Sequence, residues 1–105
     1  MKNPTKIIIA MGSNHDQHAH IDMARKYLCD AFRCVSFTNA IWTEPIGIAS
    51  DKYLNLLAVA DTFTDEATTK AKLKEIETLC GDTRQLRGHN IVNMDLDLLC
   101  YGQEK

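Results

Sequence analysis

The stretch NMDLDLLCYG, Asn93–Gly102, decides the fold. Its apolar residues alternate with Asp95 and Asp97, which is the period of a strand with two unlike faces. Met94, Leu96, Leu98 and Cys100 then point to one side, and Asp95, Asp97, Leu99 and Tyr101 to the other. The first set suits a face covered by helices. The second carries two carboxylates onto a face that is not covered.

Working back from this stretch, Asp82–Asn90 reads as a polar loop, with the last strand running over Ile91–Tyr101. Before it, Thr64 or Asp65 can cap a helix that runs to Cys80. Ala67, Leu73, Ile76 and Leu79 lie on one side of that helix, and Gly81 is the C′ residue. Tyr53–Thr62 is a strand. Thr43–Lys52, with Pro45, Gly47 and Ser50, is a loop long enough to carry function. Val35, Phe37, Asn39 and Ile41 alternate with Ser36, Thr38, Ala40 and Trp42, as in a single strand. Ile21, Ala24, Leu28, Ala31 and Phe32 recur at helical spacing from about His20. Lys6–Met11 (KIIIAM) is a buried strand ended by a Gly12-Ser13-Asn14 loop. The order is β-α-β-β-α-β. Two split βαβ units with right-handed crossovers interlock into an α+β, ferredoxin-like domain. It has a four-stranded antiparallel sheet, two helices on one face, and the other face open. Residues 1–105 read as one such domain.

The bulk numbers agree with an ordinary globular chain. Of 105 residues, 45% are apolar and 25% charged, and the net charge is −2. Nucleic-acid binders carry a basic face and a high pI, so this balance argues against that class. No apolar run reaches the length of a membrane span, and Ile7–Met11 is too short for a signal peptide core. The expected location is the cytoplasm. Cys29, Cys34, Cys80 and Cys100 form no CxxC pair and read as reduced, buried hydrophobes.

Asp95 and Asp97 repel unless water or a cation lies between them. Hard oxygen ligands on a rigid strand suit Mg²⁺, which shares itself between one or two carboxylates and substrate phosphates. The spacing alone is equally that of acids facing water. Tyr53 and Asn55 share a face of their strand. They can stack on and hydrogen-bond a planar heterocycle, or simply pack at a sheet edge. His15, His18 and His20, with Asp16, hold donor atoms for Zn²⁺ or Ni²⁺ at a spacing that matches no familiar metal motif.

GSN after the first strand, WTEPIG, YLN, the Ile76-Glu77 pair, an Arg-bearing loop and DLDLLCYG occur in order over nearly the whole chain. Together they resemble the 6-hydroxymethyl-7,8-dihydropterin pyrophosphokinases of folate biosynthesis. The resemblance implies transfer of pyrophosphate from ATP to the hydroxymethyl group of the pterin, with release of AMP. It implies that Asp95 and Asp97 hold two Mg²⁺ ions. It implies pterin contacts from Thr43, Pro45, Ile46, Tyr53 and Asn55, and a nucleotide side at Glu77 and Arg84.

The chain departs from that family in the nucleotide loop, which there reads like GRxRxxRWGPRxxDLD. Here Asp82 stands where an Arg is usual, His89 replaces the aromatic, and Val92 replaces an Arg. Arg84 is kept, and Arg87 is placed to replace one lost charge. The family pattern also continues into a further segment with a His-Pro motif, more arginines and an aromatic that stacks on the pterin. The expectation is a short member with a fuller pterin wall than ATP clamp. A second class stays open: a non-catalytic module that binds a pterin-like heterocycle, or associates with another copy through the open sheet face.

Overall fold

The computed structural model describes residues 3–44 and 52–102. Its elements are β1 (Thr5–Ser13), α1 (Gln17–Ala31), β2 (Arg33–Phe37), β3 (Ile41–Thr43), β4 (Tyr53–Thr62), α2 (Glu66–Leu79), α3 (Arg84–Gly88) and β5 (Asp95–Tyr101). The strand order is β2-β4-β1-β5, all antiparallel, and β3 extends the β2 edge along β4. This is the α+β, ferredoxin-like arrangement expected from the sequence. The fifth strand arises because the expected second strand is broken in two.

The β-branched run of β1 and the alternation of β4 place the core. Ile7, Ile9 and Met11 are buried with Leu54, Leu56, Ala58 and Ala60 beneath Ile21, Ala24 and Leu28 of α1 and Leu73 and Ile76 of α2. Each such Leu or Ile contributes about 1.5–3 kcal/mol relative to exposure. Asp65 caps α2, its carboxylate accepting the Thr68 N–H at 2.7 Å. Gly81, with φ of 85°, ends the helix in the left-handed region that glycine tolerates. The buried stripe of α2 differs from the expected one. It is Thr69, Leu73, Ile76 and Glu77, whereas Ala67 is exposed and Leu79 is 49% exposed. Thr69 enters the core because its hydroxyl is satisfied by the Asp65 carbonyl and the Thr64 hydroxyl, each at 2.8 Å.

One-residue bulges set which side chains face where; one lies between Arg33 and Ser36 of β2, and two more decide the open face. Phe37 opposes Ala58, but Ile41 opposes Asn55, so residues 38–40 hold one residue too many. Thr38 bridges the break: its N–H meets the Leu57 carbonyl at 2.9 Å and its hydroxyl accepts the Leu57 N–H at 2.8 Å. Val35 and Phe37 therefore pack toward the helices, while Ile41 and Thr43 lie on the open face. The single alternating strand expected over these residues ends at Phe37. In β5, Leu98 opposes Ile9 but Cys100 opposes Ile8, leaving Leu99 as the extra residue. Past it the faces exchange. Tyr101 turns to the helix side, where its hydroxyl donates to the Thr64 carbonyl at 2.5 Å, and Cys100 comes to the open side. This corrects the expected placing of both.

Three further expectations change. The polar loop contains α3, whose first turn is capped by the Thr83 hydroxyl accepting the Leu86 N–H at 3.1 Å. The last strand starts at Asp95 rather than Ile91, because residues 90–92 are held by Asn14. The Asn14 amide accepts the Val92 N–H at 2.7 Å and donates to the Asn90 carbonyl at 2.8 Å. Of the cysteines, Cys80 is buried as expected, but Cys29 and Cys34 are exposed and Cys100 is half-buried. Among the described residues no helix is long and apolar enough to cross a membrane.

Candidate active site

The open face of the sheet carries two rungs of facing residues. Gly12 of β1 lies across from Asp95 on one side and Asn55 on the other, with Ile41 beyond Asn55. Ala10 lies across from Asp97 and Leu57. Small residues at the two central positions let the β4 side chains lie toward β5, and a hollow opens over Ala10. A Cβ on Gly12 would stand 2.9 Å from Asn55 Oδ1 and 3.6 Å from the Tyr53 ring. This hollow, lined by Ala10, Ile41, Thr43, Asn55 and Leu57 among others, is a cavity of about 550 Å³, within the usual size of small-molecule sites.

The polar groups here are oriented. Asn55 Nδ2 donates to the Thr43 hydroxyl at 2.6 Å, and Thr43 faces Tyr53 across the strands. Burial, and then the negative charge of Asp95, hold the Tyr53 hydroxyl above its usual pKa. Asp97 is likewise held above the ordinary carboxylate range, first by burial and then by the charge of Asp95 and a hydrogen bond between the two carboxyls. Without a cation Asp97 therefore retains a proton more readily than an isolated aspartate, and a bound cation opposes that preference.

The segment leading into β5 is held by charged side chains. Arg87 donates from Nε to Asp82 Oδ2 at 2.5 Å, and from Nη2 to the Met94 carbonyl at 3.2 Å and to Asp95 Oδ1 at 3.4 Å. Asp82 Oδ1 also accepts the Asn93 N–H at 3.0 Å. Asp82, which reads in the sequence as a reversed charge, is the group that aims Arg87. Arg84 is exposed at the start of α3. Together with Lys74, Thr78 and Thr83 it lines a groove of about 290 Å³, which Arg87 shares. Glu77 lies beneath the strand, 6% exposed, with Oε2 accepting the Leu96 N–H at 2.7 Å.

The structure thus brings Asp95, Asp97, Thr43, Tyr53 and Asn55 to one face and sets Arg84, Arg87 and Glu77 beside its β5 end. Pro45 and Ile46 lie outside the described residues. The histidines are otherwise engaged: His20 Nδ1 is 2.6 Å from the His15 carbonyl, and His18 packs edge-on to Trp42. No group of three or more metal-ligating side chains forms among the described residues. Sequence reasoning missed Gly12, Ala10 and Asp82. Gly12 was read as a turn residue, yet it continues the Ile8, Ala10, Gly12 alternation of β1, and that signal was available.

Asp95 and Asp97 fit Mg²⁺. They are two hard ligands on one strand face, a number that leaves coordination positions to water and phosphate oxygens. The residue opposite Asp95 is Gly12, whose missing Cβ makes room for the Asn55 and Tyr53 side chains beside the pair.

Fold and site together define a ferredoxin-like α+β protein with a two-carboxylate centre on its open sheet face. Residues 8–104 match the 7,8-dihydro-6-hydroxymethylpterin-pyrophosphokinase (HPPK) family, and the chain belongs to it. Enzymes of this family act on a pterin in folate biosynthesis and use ATP with Mg²⁺. No curated protein matches the chain.

Proposed function

We propose that this chain transfers pyrophosphate from ATP to the hydroxymethyl group of 6-hydroxymethyl-7,8-dihydropterin, in the cytoplasm, with Asp95 and Asp97 as the site of two Mg²⁺ ions. The supporting observation is the hollow over Ala10, whose Asn55–Thr43 wall shares one face of the sheet with the carboxylate pair. In the reaction the substrate hydroxyl oxygen bonds to the β-phosphorus of ATP and gives up its proton to solvent, the bond from that phosphorus to the α-phosphate oxygen breaks, and AMP leaves. Bound Mg²⁺ supplies neutralisation of phosphate charge and orientation of the reacting oxygens.

The protein's own part is placement. Thr43, Tyr53 and Asn55 hold the pterin ring, with Pro45 and Ile46 that follow Thr43 in the sequence. The Asn55 amide is already turned by its bond to Thr43, so it loses little freedom on binding. Arg84 and Arg87 meet the phosphates from the groove beside β5, and Glu77 lies on that same side. The Asp95–Asp97 pair tethers the polyphosphate to a rigid strand instead of a loop.

The experiment is a mixture of the chain with Mg²⁺, ATP and the pterin, followed by chromatography for AMP, beside the Asp95→Ala, Asp97→Ala double variant. The expected result is pterin-dependent AMP in the first and none in the second. No AMP at enzyme concentrations matching substrate overturns the proposal. One observation favours a second reading, a non-catalytic pterin-binding module: Arg87 is already engaged by Asp82, Met94 and Asp95. Saturable pterin binding without AMP formation would establish it.

A further inference from the structure

Glu77 is a carboxylate in the helix layer, 6% exposed, where an apolar side chain of similar length would avoid the cost of burying charge. That cost is visible, since burial holds its carboxyl above the usual range against the pull of Lys74 and Arg87. What it gains is one bond. Oε2 accepts the N–H of Leu96 at 2.7 Å. Leu96 is the residue between Asp95 and Asp97. β5 pairs with β1 on one side and is the edge of the sheet on the other. An edge strand is held by half the ladder of a central one, so its side chains are fixed less well. Here the backbone between the two acids has a second attachment, from α2.

The remaining neighbours of Glu77 are directed to the same place. Lys74 Nζ is 3.8 Å from Oε1. Arg87 Nη2 is 4.0 Å from Oε2 and 3.4 Å from Asp95 Oδ1, so one guanidinium links the two carboxylates.

We propose that Glu77 is the positioning residue of the carboxylate pair: by holding the Leu96 N–H it fixes the stretch of strand edge from which Asp95 and Asp97 project, and so sets their spacing for a divalent cation. This rests on Asp95 and Asp97 being the cation site. It makes Glu77 a support of the metal ligands rather than a contact of the nucleotide. Groups that orient metal ligands typically change affinity about 10- to 100-fold when removed.

The test uses the full chain, with Mn²⁺ as the probe; the binding and exchange readouts are taken without nucleotide. Glu77→Gln keeps an acceptor oxygen on the same skeleton. Glu77→Leu removes it, and Glu77→Asp keeps the charge but shortens the reach, which serves if the Leu variant does not fold. Three readouts are taken: hydrogen exchange at the Leu96 amide, Mn²⁺ affinity by titration, and KM for ATP against kcat. The Gln variant is expected to keep Leu96 protection, to bind Mn²⁺ within about threefold of the parent and to leave KM for ATP unchanged. The Leu and Asp variants are expected to lose Leu96 protection and about tenfold or more in Mn²⁺ affinity. Mn²⁺ binding that is lost in Asp95→Ala, Asp97→Ala but kept in Glu77→Leu or Glu77→Asp overturns the positioning role alone. Mn²⁺ binding that survives the double aspartate variant overturns the cation site itself, and this inference with it. A raised KM for ATP in the Gln variant, with Mn²⁺ affinity intact, also overturns it, since that pattern marks a nucleotide contact.

Discussion

Asp82 grips the guanidinium of Arg87, Nε to Oδ2 at 2.5 Å, and its other oxygen takes the Asn93 N–H. One carboxylate thus fixes both the cation beside Asp95 and the backbone that leads into β5. Replacing Asp82 by Ala leaves the Asn93 N–H without its partner and Arg87 without its aim. Losing a covered hydrogen bond to a charged group costs about 1.5–3 kcal/mol. The urea midpoint should fall accordingly, and KM for ATP should rise several-fold with a smaller change in kcat. An unchanged midpoint would mean that the pair contributes nothing to the fold.

The pH dependence follows from Asp97. Its carboxyl is held up in the folded chain, by burial and by Asp95. The stability it contributes is complete below the ordinary aspartate range and is lost as pH rises through the raised folded value. Asp97→Asn removes that loss and leaves the Asp95–Arg87 contact in place. The variant should therefore be at least as stable as the parent at pH 7, and should lack the parent's decline between mildly acid and neutral pH. Added Mg²⁺ should raise the melting temperature of the parent and leave the variant's unchanged. Urea titrations across pH 3.5–7, with and without Mg²⁺, decide this.

Gly12→Ala tests the hollow. The new methyl group meets Asn55 Oδ1 at 2.9 Å, closer than packed atoms tolerate. Asn55 must turn, which breaks its 2.6 Å bond to Thr43. Pterin affinity should fall about tenfold, the equivalent of one hydrogen bond, while stability changes by about 1 kcal/mol or less. Fluorescence titration with the pterin reads the first quantity and thermal melting the second. Unchanged pterin affinity would place the ring elsewhere.

Thiol chemistry should divide the cysteines. Burial pushes the Cys80 thiol up to about 11, whereas Cys29 and Cys34 are exposed. Alkylation of the native chain at pH 8 should label Cys29 and Cys34 within minutes and Cys80 only in denaturant. Mass spectrometry of the digest reads the order. Rapid native labelling of Cys80 would contradict the packing of α2.

The fold was legible because its signals are long and periodic. The Tyr53–Thr62 strand is found where its alternation places it, and the Asp65 and Gly81 ends of α2 carry their own chemistry. The carboxylate pair was legible because it lies in β5 before the Leu99 bulge. What lies beyond a bulge was not, since one surplus residue leaves no mark in composition yet exchanges every later side chain between faces. Ile41, Cys100 and Tyr101 were misplaced for that reason. The role of Asp82 was hidden differently. A charge that pairs five residues on reads alone as a lost phosphate contact until the turn of α3 brings Arg87 back to it.

The bulges can also be restated as parity. β5 carries one inversion and the β2–β3 line two, between Arg33 and Ser36 and again ahead of Ile41, whereas β1 and β4 pair without any. The inversion in β5 falls after Asp97. Deleting Leu99 would therefore swap the faces of Cys100 and Tyr101 while leaving both acids where they are. The inversion ahead of Ile41 falls before the cavity wall, so deleting a residue at 38–40 would turn Ile41 and Thr43 away from the hollow. Single-residue deletions, rather than substitutions, are the natural way to edit the ligand wall and the strand end of this sheet independently.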